Sequence, residues 1–148
     1  MLIVDDYAFN LVPLEMIIQN NFKKKCEMAE NGQVAFDMYI KDALKTCCSI
    51  RYRLILTDIN MPVMDGLQAS RLMREEYSKM VVNNSELPDL RIGAISAYNE
   101  QSMIDQCHEA GIADFLPKPF DFKTMQTIFE QVFDEKFEQD LLASQDDK

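Results

Sequence analysis

Five polar side chains of complementary chemistry stand where short apolar runs end. Asp5 and Asp6 follow the run 2–4, Asp58 follows 54–57, Ser96 follows 92–95, and Lys118 with Pro119 follows 114–116. If those runs are parallel strands, three carboxylates, a hydroxyl and an amine converge on one rim, because ligands of open parallel sheets sit beyond the strands' carboxyl ends. Clustered carboxylates repel one another, so a bound cation is expected. Mg²⁺ suits an all-oxygen site of this kind. Each residue also has a plain alternative. Adjacent acids often mark a helix N-terminus, and an aspartate before a turn is often an N-cap. Ser96 could simply end a strand, and Lys118 could be a surface lysine. Jointly these alternatives fail, since every strand end except the second carries such a group.

The elements that must position these groups read as alternating strands and helices. Leu2–Val4 is rich in strand formers, and Leu11, Leu14, Ile17 and Ile18 recur at helical spacing. Pro13 fits the first turn of a helix that begins near Phe9 or Asn10. A second strand is expected at 26–29, with Asn31-Gly32 as punctuation and Val34, Ala35 and Met38 opening a second helix. The run 54–57 is a strongly apolar third strand. Pro62 and Asp65-Gly66 mark a loop, and Leu67, Leu72, Met73 and Tyr77 a third helix. Residues 78–89 read as a loop, and 92–95 as the fourth strand. Met103, Ile104 and Cys107 mark a fourth helix closed by Gly111. A short strand at 114–116 precedes a long helix from Asp121, carrying Phe122, Met125, Phe129, Val132 and Phe133. Five βα units imply a parallel sheet covered on both faces by helices, an α/β fold. Residues 1–133 form one expected domain. Residues 134–148, with six acids and two bases, form the end of the last helix and an acidic tail expected to be disordered.

Composition narrows the function classes. The 148 residues suit one domain, and 47% of them are hydrophobic, enough for a sizeable core. The net charge of −10 argues against direct nucleic-acid binding. Lys23-Lys24-Lys25 is an isolated basic run that reads as a solvated helix end. No apolar run approaches the roughly 18 residues of a membrane span, and no signal peptide is visible. Cys26, Cys47, Cys48 and Cys107 form no CxxC pair, and His108 is the single histidine, expected at the surface. Free thiols in a reducing cytoplasm are therefore expected, with Cys26 and Cys107 buried.

The segments Leu2-Ile-Val-Asp-Asp6, Leu56-Thr-Asp-Ile-Asn-Met-Pro-Val-Met-Asp-Gly66, Ile95-Ser-Ala97 and Ala110-Gly-Ile-Ala-Asp-Phe-Leu-Pro-Lys-Pro-Phe120 resemble the receiver domains of two-component signalling, the CheY-like group. The resemblance covers roughly residues 2 to 133. It implies a flavodoxin-like fold of five parallel strands in the order 2-1-3-4-5, flanked by five helices; that order is the one known for CheY itself. It also implies a role for each residue of the rim. Asp58 is then the phosphoacceptor and Asp6 the direct Mg²⁺ ligand. Asp5 is a ligand largely through water, and Asn60 supplies its backbone carbonyl. Lys118 pairs with one phosphoryl oxygen and Ser96 hydrogen-bonds another. Ala97 is small and keeps the entrance open. The Lys118-Pro119 bond resembles the family's cis peptide.

The mechanism implied is attack by the Asp58 carboxylate on a phosphohistidine, with Mg²⁺ and Lys118 neutralising the equatorial oxygens. Such a domain catalyses its own phosphorylation and dephosphorylation while serving mainly as a signalling module. Ser96 would move toward the phosphoryl group and Phe115 would turn inward behind it. The family often has Tyr at that position; Phe lacks the hydroxyl that would hold either orientation, and permanent core packing is the alternative. Asn60 and Tyr98 are expected to border the path of a hydrolytic water. Asn60 would orient the water and Tyr98 would obstruct it, unless Tyr98 merely faces solvent. Tyr7, Phe9, Pro13 and Phe120 beside the rim suggest a docking patch for a histidine phosphotransfer helix pair, the alternative being that they staple the first helix to the core. The first strand is shorter than usual for the family, which suggests an excised domain or a trimmed start. The stretches 41–53 and 78–89 look expanded and should lie away from the rim. Three functions compete. The chain is the receiver of a hybrid histidine kinase, which can itself be membrane-bound, or a free-standing regulator acting by protein binding, or a Mg²⁺-dependent hydrolase. The last needs a second acid at position 60, where Asn stands.

Overall fold

The computed structural model of the chain describes residues 1–45, 52–119 and 121–133. Strands and helices alternate as β1 (Leu2–Val4), α1 (Ala8–Phe22), β2 (Glu27–Ala29), α2 (Gly32–Ala43), β3 (Leu54–Asp58), α3 (Gly66–Asn83), β4 (Arg91–Ser96), α4 (Gln101–Glu109), β5 (Asp114–Pro117) and α5 (Phe122–Val132). The five strands form one sheet in the order β2-β1-β3-β4-β5, with every pairing parallel. The expected fold class and strand order are those observed.

Side chains alternate across the sheet, and both faces are covered, so consecutive apolar residues are all buried. Leu2, Val4, Ile55, Ile92 and Ala94 pack with Tyr39, Met73 and Cys107 of α2, α3 and α4. Ile3, Leu54, Leu56, Ile95 and Leu116 pack with Leu11, Leu14 and Ile18 of α1 and with Met125 and Phe129 of α5. Asn31, Asp65 and Asp121 cap α2, α3 and α5 through their side chains, accepting from the amides of Val34, Gln68 and Lys123. Gly111, at φ 80°, lies just beyond α4 in the left-handed backbone that glycine tolerates.

Several local expectations need correction. Helix α1 begins at Ala8, so Pro13 is its sixth residue and lies in the second turn. Proline there removes the donor for the Phe9 carbonyl. That loss is tolerated because Phe9 lies at the solvent-exposed start of the helix. Helix α3 runs to Asn83, past the position where a loop was expected from residue 78. Half-buried Tyr77 and Met80 keep it on the core, and Lys79 pairs with Glu75 and Glu76 on its outer side. Cys26 is half-buried rather than buried; Cys107 is buried. The cysteines at 47 and 48, the tail 134–148 and Phe120 lie outside the described residues.

Candidate functional site

Asp5 lies one residue past β1 and is buried, whereas Asp6 is exposed. The backbone N–H of Asp5 donates to the Ala29 carbonyl at 3.1 Å, which anchors the strand end. Its carboxylate collects three donors. Tyr7 N–H reaches Oδ1 at 2.9 Å, and Lys118 Nζ reaches Oδ2 at 3.2 Å. The Asn10 amide reaches Oδ1 at 3.2 Å and Oδ2 at 3.0 Å. Asp58 is the last residue of β3, level with Ile95 of β4. Its Oδ1 accepts from Ile59 N–H at 2.9 Å and lies 3.6 Å from Lys118 Nζ.

One carboxylate oxygen from each of Asp5, Asp6 and Asp58 lies within 4.8 Å of the others. Lys118 therefore bridges Asp5 and Asp58 but does not balance three negative charges. Burial pushes the Asp58 carboxyl above its ordinary value. The Lys118 charge pulls it back, the Asp5 charge raises it, the Ile59 N–H lowers it, and Asp6 raises it slightly. A hard-oxygen donor set with residual negative charge fits a small divalent cation.

Ser96 ends β4 and is buried. Its Oγ accepts from the Tyr98 N–H at 3.1 Å, and its carbonyl accepts from the Lys118 N–H at 2.7 Å. The Lys118–Pro119 peptide is cis. Phe115, half-buried in β5 opposite Ala94, packs against the same core face as Ala94. Asn60 and the exposed Tyr98 line one cleft with Glu100, Ser102 and Met103. Tyr7 and Phe9 are exposed, with their ring centroids 5.3 Å apart, and Pro13 is exposed as well. His108 is exposed on α4.

The loop that carries Asp58 is held by close backbone approach. Gly66 N–H donates to the Ile59 carbonyl at 2.8 Å, and a Cβ at Gly66 would lie 2.1 Å from the Asp58 carbonyl oxygen. Gly32 N–H donates to the Met64 carbonyl at 2.9 Å, and a Cβ there would lie 2.5 Å from that oxygen. Val63, at the exposed tip, has φ 70°, a strained value for a β-branched residue. Sequence reasoning treated Gly32 as punctuation and passed over Asn10 and Glu100. For Asn10, the five-residue spacing from Asp5 was the available signal, since the first turn of α1 carries it back over the strand end.

The sequence profile described as the response regulator receiver domain matches residues 1–130. The chain belongs to that family. The receiver is similar to the hybrid signal transduction histidine kinase F of Dictyostelium discoideum, with 34% identity over 121 residues, 80% of this chain and 10% of that protein. It spans about a tenth or less of the length of the first hybrid kinases it matches. Among solved structures, it is similar to the receiver domain of the response regulator Ssk1 of Saccharomyces cerevisiae, co-crystallised with the histidine phosphotransfer protein Ypd1. That match has a TM-score of 0.72 and 25% identity, covering 88% of this chain and 86% of that one. It is also similar to the receiver domain of a sensor histidine kinase of Pseudomonas aeruginosa, whose active-site cleft coordinates a magnesium ion. There the TM-score is 0.68 and the identity 25%, covering 88% of this chain and 93% of that one. Among the described residues of the receiver, no helix is long and apolar enough to cross a membrane.

Proposed function

We propose that Asp58 is the phosphoacceptor of this receiver and takes its phosphoryl group from a phosphohistidine of a histidine kinase or histidine phosphotransfer protein. The observation that carries this reading is the convergence of Asp58 with Asp5, Asp6 and Lys118 at the strand ends. A carboxylate oxygen of Asp58 attacks phosphorus in line. The O–P bond forms, the P–N bond breaks, and the imidazole leaves with its electron pair. Lys118 Nζ, already 3.6 Å from the nucleophile, ion-pairs with a phosphoryl oxygen. Ser96 Oγ has its acceptor side engaged by Tyr98 N–H, which leaves its own proton for another phosphoryl oxygen. Asp5, Asp6, Asp58 and the Asn60 carbonyl would hold Mg²⁺, which supplies charge neutralisation at the equatorial oxygens. Positioning and electrostatics carry most of the catalysis.

In the same reading, movement of buried Ser96 toward the phosphoryl group lets half-buried Phe115 turn inward, and Asn60 and Tyr98 set the lifetime of the acyl phosphate. A hybrid histidine kinase is the parent protein this reading favours, because hybrid kinases are among the chain's relatives. A free-standing regulator is the second reading. Free Cys26 and Cys107 support a cytoplasmic setting. The test is incubation with Mg²⁺ and acetyl phosphate. One acyl phosphate per chain is expected in the wild type and none in Asp58→Asn. Label that persists in the variant would move the acceptor elsewhere.

A further inference from the structure

The hydrogen bonds around Asp5 point to a residue whose type is not explained by packing. Asn10 is exposed, on the first turn of α1. Its amide nevertheless reaches both oxygens of the buried Asp5 carboxylate, at 3.2 and 3.0 Å. The other two contacts to that carboxylate come from Tyr7 N–H and Lys118 Nζ, one to each oxygen. A carboxylate offers about four acceptor directions, and of the contacts that use them the one from Lys118 is the one a cation can replace, since Lys118 also reaches Asp58. The Tyr7 N–H reaches one oxygen alone. Lys118 is shared with Asp58. Of these three donors the Asn10 amide alone reaches both oxygens, so it holds the carboxylate group against the start of α1 when Lys118 turns to another partner.

We infer that Asn10 is a positioning residue for the Asp5–Asp6–Asp58 cation site. It holds the Asp5 carboxylate in the orientation that faces the other two acids, and thereby keeps Lys118 between Asp5 and Asp58. The inference rests on the reading of that cluster as a Mg²⁺ site, which a hard-oxygen donor set supports. Groups that orient a metal's ligands typically contribute about 10–100-fold in affinity. Without the amide, Asp5 gains rotamers that the cation must freeze again on binding, so affinity falls. Once the site is saturated, the cation itself orients Asp5, so the chemistry is little changed.

The experiment is a Mg²⁺ titration without phosphodonor, followed by tyrosine fluorescence or amide NMR shifts, on wild type, Asn10→Leu and Asn10→Ala. Leu has a similar branched outline, favours the helix more than Asn and cannot donate. Both variants should bind Mg²⁺ at least about tenfold more weakly than wild type. In acetyl phosphate labelling, the half-saturating Mg²⁺ should rise by the same factor, with the rate at saturating Mg²⁺ within about twofold. Thermal unfolding of the metal-free proteins separates this from a purely structural role, which would lower stability and leave Mg²⁺ affinity unchanged. That outcome overturns the inference, as does a loss of saturated rate with unchanged affinity. No Mg²⁺ binding by the wild type would instead overturn the reading of the cluster itself.

Discussion

Gly66→Ala isolates the demand the loop that carries Asp58 makes on its neighbours. Gly66 opens α3 in ordinary backbone, where alanine is intrinsically favoured by up to about 1 kcal/mol. The added Cβ, however, would lie 2.1 Å from the Asp58 carbonyl oxygen and 3.1 Å from the Asp58 carbonyl carbon and the Ile59 Cα. A carbon–oxygen contact needs about 3.3 Å, so the Asp58–Ile59 backbone or the start of α3 must shift by about 1 Å. Neither can move freely. Asp58 is in register with Ile95 in β4, and Gly66 N–H is bonded to the Ile59 carbonyl. Overpacking of this kind typically costs about 1–3 kcal/mol, partly offset by the helix preference. Misplacing a reacting group by about 1 Å can cost on the order of 10²-fold in rate. Acetyl phosphate labelling at saturating Mg²⁺ should therefore slow by about that factor, and the urea midpoint should fall. The two readouts come from one displacement and should move together. Labelling within twofold of wild type at an unchanged midpoint would refute the argument that Gly66 holds Asp58 in place.

Tyr98→Ala should speed loss of the acyl phosphate and Asn60→Ala should slow it, followed as decay of the phosphorylated protein in Mg²⁺ buffer; identical decay in all three would remove both side chains from the hydrolytic path. Alanine at the exposed Phe9 or Pro13 should slow transfer from a phosphotransfer protein but spare acetyl phosphate labelling, and an equal loss with both donors would mean these residues serve the fold of α1. In the metal-free protein, stability should fall as pH rises from the ordinary carboxylate value of 3.8 through the raised Asp58 value, because the folded state holds that proton longer than the unfolded state. Asp58→Asn should reduce this slope and stabilise the metal-free protein at neutral pH, as read from urea midpoints across pH; an unchanged slope would count against a carboxyl raised chiefly by burial at Asp58.

What the sequence disclosed depended on how local the signal was. The strand ends were legible because strand-like runs of three or four residues stop at or just before Asp5, Asp58, Ser96 and Lys118, and a parallel sheet must bring those ends to one rim. Helix α3 was read short because Asn83, Asn84 and Ser85 look like a loop, whereas the helix is held to Asn83 by the packing of Tyr77 and Met80 from its inner side. The start of α1 was read late because Pro13 was given first-turn status, although an exposed carbonyl at Phe9 lets proline sit one turn further in. Gly32 and Gly66 could not be read as contacts, since the atoms they approach, Met64 O and Asp58 O, are brought near only by the folded loop. The Asn10–Asp5 pair is nearer in sequence, but nothing in residue type alone says that an exposed amide will reach a buried carboxylate.

The strand order has a consequence for where motion can occur. Asp5 directly follows β1 and Asp58 ends β3, strands hydrogen-bonded on both sides, whereas Lys118 follows β5, paired only with β4 at the open edge of the sheet. Amides locked between two neighbours open only with the whole domain, while edge strands fray at lower free energy. Amides of β1 and β3 are thus expected to exchange more slowly than those of β5. A charge added to Asp58, as the proposed function requires, would meet doubly paired strands on one side and the singly paired β5 on the other. A displacement of the rim would thereby be taken up first at β5 and the Lys118 segment that follows it.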